Sequence, residues 1–302
     1  MNVLVVGGAG FVGSHLTERL VAEGNAVEVV DDLTCGSLAN LSEARALGGQ
    51  LQIHTLDAGS EQFQALVQLK TPAVIYHLGL LPPGLPVEAT GAASMRSLFG
   101  VLEAARAAGG VEVVVALSAV ALYGEVNAKD QPIKEDQPWN PVGVRGVLSR
   151  AVAELLAAYR EEHAVEFTAL AVANLYGARQ RPEGGVTAAF AHAIATRSTP
   201  TISGDGRQSR DLLFIDDAVD ALVRAATKGG GLVVNVGTGV ATAVRDLWTL
   251  MAGPDAAYPT SVPRRGDEVI RCALSPTRAR IHLAWAPWTD LSVGLATMGH
   301  RR

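Results

Sequence analysis

A chain of 302 residues, 48% hydrophobic and 18% charged, holds enough apolar material to bury a large α/β core. Its net charge of −5 is mild and its arginines are scattered, so neither a nucleic-acid stripe nor a polybasic membrane patch is present, and the ligand expected is a small molecule. No apolar run reaches the ~18–20 residues of a membrane span and no basic leader precedes the first strand; a cytoplasmic protein with two reduced thiols, Cys35 and Cys272, is expected.

In chain order, short β-branched runs at 2–6, 26–30, 51–56, 73–77 and 111–117 alternate with helical patterns at 11–22, 60–70, 89–108 and 148–163. Fully apolar strands separated by helices predict a parallel sheet covered on both faces, a Rossmann-type doubly wound α/β fold. Further strands are expected at 166–173 and 232–236, whereas 176–211 and 237–302, richer in Gly, Pro and Arg, read as irregular. The division expected is a dinucleotide-binding domain over 1–172, to which 210–237 returns, and a smaller C-terminal substrate lobe from 173–209 and 238–302.

The stretch VLVVGGAGFVGSHL sets Gly7, Gly10 and Gly13 between the first strand and first helix. One glycine permits the tight turn, the next lets backbone approach a pyrophosphate, and the third brings helix close to strand. A second strand ends at Asp31, whose carboxylate suits ribose hydroxyls and favours NADH over NADPH, although a nearby arginine can reverse that preference.

These residues, with DDLTCG, Asp57, HLGLLPP, LEAAR, SAVALYG, NLYGARQ, GDGRQSRDLLFIDD and RRGDE, resemble the extended short-chain dehydrogenase/reductases, whose best-known members are nucleotide-sugar epimerases and dehydratases. The resemblance implies that Gly7, Gly10, Phe11, Val12, Gly13, Asp31, Asp57, Ala58, Leu78 and Gly79 line an NAD(P)H site. It also implies substrate contacts from Asn174, Arg210 and Arg264, the arginines matching those that grip a sugar nucleotide's diphosphate.

The family's Ser/Thr and Tyr-x-x-x-Lys are missing. Counting back four from Tyr123 gives Ala119, and matching SRAVAE to the family's SKxxxE puts Gly146 at the tyrosine and Arg150 at the lysine. None of the five tyrosines has a lysine four residues on. Arg150 cannot be a general acid at neutral pH but could hold ribose hydroxyls or an oxyanion, and Ser118 is a weak substitute. Other pocket positions depart as well: Ala171 replaces an arginine, Ser94, Ser97 and Leu98 replace an Asn and Gly-Thr stretch, and LLPPGLP is stiffened by three prolines. The seven histidines show no metal spacing, so no metal is expected.

An absent tyrosine is nearly disabling for sugar epimerisation, whereas ketone reduction needs only a proton for the alkoxide. A substrate phenol or water could supply that proton. The pattern resembles the atypical polyketide ketoreductases of this superfamily, implying an NAD(P)H-dependent ketoreductase acting on an angucyclinone-type aromatic polyketide in antibiotic biosynthesis. A nucleotide-sugar epimerase or dehydratase and a non-catalytic NAD(P)-binding sensor remain the alternatives. The oligomeric state is left open.

Overall fold

The computed structural model describes residues 1–264, 266 and 268–298. The first half alternates β1 (Asn2–Val6), α1 (Phe11–Ala22), β2 (Ala26–Asp31), α2 (Ser42–Ala46), β3 (Leu51–Thr55), α3 (Glu61–Lys70), β4 (Val74–His77), α4 (Val87–Ala108), β5 (Glu112–Ser118), α5 (Ala119–Tyr123), α6 (Gly143–His163) and β6 (Phe167–Val172). There follow β7 (Asn174–Tyr176), α7 (Val186–Thr196), β8 (Thr201–Ser203), β9 (Ser209–Phe214), α8 (Ile215–Ala225), β10 (Leu232–Val236), β11 (Ala241–Ala243), α9 (Val244–Ala252), β12 (Thr260–Val262), α10 (Thr277–His282) and α11 (Leu291–Met298).

Seven strands form one parallel sheet in the order β10-β6-β5-β4-β1-β2-β3, the Rossmann-type doubly wound arrangement. Alternation along β1 shows why both faces are covered. Val3 and Val5 join the core shared with Leu16 and Leu20 of α1 and Val219 and Leu222 of α8, while Leu4 and Val6 join the core of α3, α4 and α6. Strand order reverses between β1 and β4, which opens a crevice at their C-terminal ends.

A three-stranded sheet, β11-β9-β7, and a two-stranded one, β12-β8, lie outside the large sheet. Tyr176, Phe190, Leu212, Leu247 and Trp248 form a third core there. Two expectations need correction. The stretches read as irregular contain β8, α7, α9, α10 and α11, whose short apolar segments become regular only by packing on one another. Residues 210–214 belong to the small sheet through β9, so only α8 and β10 return to the large one. Helix α6 also begins five residues before the expected start, at Gly143. Among the described residues no helix is long and apolar enough to cross a membrane.

Candidate functional site

A cleft at the switch point is lined by Gly7, Gly10, Phe11, Val12, Gly13, Asp31, Asp57, Ala58, Leu78 and Gly79. Gly7 adopts φ +77°, and a Cβ there would lie 2.7 Å from the Gly79 nitrogen, so β1 and β4 meet backbone to backbone. A Cβ on Gly13 would lie 2.7 Å from Gly8 Cα, which is how the first turn of α1 sits directly on the loop. Gly10 caps this helix in extended conformation with no side-chain bond, leaving the first N–H groups for an anion.

Asp31 closes β2. Its carboxylate accepts the Ala9 N–H at 2.8 Å and the Leu33 N–H at 2.9 Å, tying the glycine loop to the second strand. Burial raises its pKa, opposed by those two bonds. Asp57 accepts the Gly59 N–H at 2.8 Å and pairs with Arg96 at 2.7 Å on the cleft's outer edge. Bare backbone at a helix start flanked by a buried acceptor fits a dinucleotide.

The expected acid–base positions are not in this cleft. Ala119 is 0% exposed and packs in the α1 and α8 core. A Cβ on Gly146 would overlap the Ala121 carbonyl and lie 3.1 Å from Pro141, so α6 and α5 are in backbone contact there. Arg150 is exposed and donates to Glu154 at 2.8 Å. It is not among the residues that line the cleft. Ser118 is exposed and makes no capping bond.

Near the start of α6, Arg145 reaches the loop after β4. Arg145, half-buried, donates to the carbonyls of Leu81, Pro82 (3.1 Å) and Leu85 (2.7 Å), and Ser149 is 2% exposed with its hydroxyl on the Arg145 carbonyl at 2.9 Å. Burial lowers the Arg145 pKa, with Glu88 opposing. No tyrosine lines the cleft. The hydroxyl of buried Tyr123 donates to Asn235 Oδ1 at 2.9 Å, and burial pushes its pKa up.

Of the expected substrate residues, Asn174 has a buried Oδ1 with no hydrogen-bond partner. Arg210 donates to the Ser209 carbonyl at 2.8 Å and lies 3.6 Å from Glu268, while Arg264 pairs with Asp205 at 3.0 Å, so the structure sets the two arginines against different acids. Sequence reasoning missed Arg145 and also Arg179, Gln180 and Arg181, which line the cleft from the segment after β7. Arg179 is buried, pairs with Glu18 and lies 3.4 Å from the Ser14 hydroxyl on α1. The motif NLYGARQ holds Arg179 and Gln180, while Arg145 and Arg181 lie outside it.

His77 is fully buried; burial lowers its pKa to about 3, and its Nε2 lies 3.0 Å from the Ser97 hydroxyl. His300 lies outside the described residues. Among the described residues no group of three or more His, Cys, Asp or Glu could hold a metal.

A model of the NAD dependent epimerase/dehydratase family matches residues 3–237. A UDP-glucose 4-epimerase of Mycolicibacterium smegmatis is 38% identical, covering 98% of this chain and 96% of its own length. A putative UDP-glucose 4-epimerase of Methanocaldococcus jannaschii is 30% identical over 97% and 95%. The crystal structure of UDP-glucose 4-epimerase with UDP-glucose from Thermotoga maritima superposes with a TM-score of 0.91 at 30% identity, covering 99% of this chain and 97% of that one. The Thermus thermophilus UDP-glucose 4-epimerase complex with NAD gives 0.89 at 26%, covering 99% and 98%. These likenesses overturn the expected aromatic-polyketide ketoreductase. The likeness runs nearly the whole length of the chain, whereas the departures are confined to a few pocket positions. The cofactor is NAD, as the cleft and the family together indicate.

Proposed function

This chain belongs to the NAD-dependent epimerase/dehydratase family, and from that membership we propose that it acts on a UDP-sugar in a 4-epimerase type of reaction. The observation that carries the reading is a cleft complete at its nucleotide end, from Gly7 through Asp31 to Asp57, that extends to Arg179, Gln180 and Arg181 beside the second layer. In this reading the backbone of residues 7–13 and the α1 N-terminus hold the pyrophosphate, Asp31 the ribose and Asp57 the adenine edge. Residues 173–209 and 238–302 hold the sugar nucleotide, with Asn174 on the sugar and Arg210 and Arg264 on the diphosphate, where a planar guanidinium suits paired oxygens. NAD, when bound, supplies a hydride acceptor for the sugar and returns the hydride.

The missing tyrosine sets the rate. Loss of a positioned general acid–base costs about 10²- to 10⁴-fold, so turnover is slow and the proton passes to water or to a nearby hydroxyl. The same absence favours a second reading, a protein that binds NAD and a UDP-sugar without turning them over. The test is to incubate purified protein with NAD and UDP-glucose and follow UDP-galactose by chromatography, with calorimetry of UDP-glucose binding alongside. Slow formation of UDP-galactose is expected. Binding without product leaves the second reading, and no binding of any UDP-sugar refutes both.

A further inference from the structure

The loop from Leu80 to Pro86 cannot hydrogen-bond like ordinary chain, because Pro82, Pro83 and Pro86 have no N–H to give. Three of its carbonyls converge on one guanidinium, that of Arg145. Arg145 stands in the first turn of α6, where the helix end is itself positive and a cation is disfavoured. Its hydrogen bonds go to carbonyls, whose dipoles offset that penalty in a half-buried setting.

The loop is tied at two further points. The Leu81 N–H donates to Ser94 on α4 at 3.0 Å, and at Gly84, φ +81°, a Cβ would lie 2.6 Å from the Glu183 carbonyl oxygen. Leu80, Pro82 and Pro83 line the cleft on one side and Gly184 on the other. The loop therefore bridges the nucleotide layer and the segment after β7. A dinucleotide spanning a switch point, with its adenosine at Asp31, directs its other end toward β4 and this loop.

We infer that Arg145 is a positioning residue for the nicotinamide end of the cofactor, acting by latching the 80–86 loop across the cleft; the inference rests on the NAD-dependent reading above. Lysine, a point charge, cannot reach the carbonyls of residues 81, 82 and 85 together as a guanidinium does.

The test measures release of NADH from the full-length protein by the fall in its fluorescence on chasing with excess NAD. Arg145→Gln should release it about ten- to a hundred-fold faster, the scale of losing charge-assisted hydrogen bonds. Arg145→Lys should fall between, and Arg160→Gln, an exposed arginine on the same helix, should match the wild type. Wild-type release by Arg145→Gln overturns the inference, as does a lysine variant indistinguishable from the wild type. Should Arg145→Gln fail to fold, Gly84→Ala carries the test from the far contact, and an unchanged release rate there overturns it equally. A wild-type chain that binds no NADH sinks the NAD-dependent reading itself, whereas unchanged release in the variants sinks the latch alone.

Discussion

Replacing Gly13 by Ala separates what the glycine loop does for the fold from what it does for the cofactor. The new Cβ would overlap the Gly7 carbonyl oxygen and would also lie 2.7 Å from Gly8 Cα and 2.8 Å from the Gly7 carbonyl carbon, both well inside the ~3.5 Å at which carbon atoms rest comfortably. All three neighbours are backbone atoms, so the start of α1 must retreat by on the order of 1 Å. Overpacking of this kind costs about 1–3 kcal/mol, and alanine in a helix returns about 1 kcal/mol over glycine, leaving a net loss of ~0–2 kcal/mol in stability. The phosphate contacts fare worse, since each charge-assisted hydrogen bond from a helix-start N–H contributes about 1.5–3 kcal/mol. NADH affinity, titrated by fluorescence, should fall about ten- to a hundred-fold while the melting temperature drops by a few degrees. A variant that binds NADH within about twofold of wild type would refute the claim that close approach of α1 to the loop makes the site.

Gly146→Tyr combined with Arg150→Lys, which rebuilds the family pair at the positions read from sequence, should destabilise the protein by about 1–3 kcal/mol and raise UDP-glucose turnover not at all. Its Cβ meets the Ala121 carbonyl rather than the cleft, and a gain in epimerisation would show the face assignment to be wrong. Arg150→Ala alone should leave NADH affinity unchanged to within about 0.5 kcal/mol, because the side chain is exposed and paired with Glu154. Glu112, half-buried at the start of β5, has its pKa raised to about 7 by burial, against the hydrogen bond from Thr168. A raised carboxyl pKa means a contribution present below the ordinary value near 4.5 and lost as pH rises through about 7. Glu112→Gln should therefore melt higher than wild type at pH 8, by about 2–4 °C for ~1 kcal/mol after solvent screening, and show no such gain at pH 4; equal differences at both pH values would refute it.

The large sheet and the nucleotide end of the cleft follow from the order of residues along the chain. Glycines at 7, 10 and 13 and an acid at 31 act through spacing along one strand-turn-helix unit, and such local constraints are legible in order. Apolar β1 likewise announced a strand covered on both faces. Packing in three dimensions, by contrast, set which side of α6 meets the loop after β4. Residues 145 and 146 differ by one place in sequence but by a quarter turn in space, so while Gly146 packs on Ala121, Arg145 reaches the loop. The same holds for Arg179 and for the latch at Gly84, which bring together elements about a hundred residues or more apart. Contacts of that range depend on how helices settle against a sheet, and no local pattern of residues encodes them.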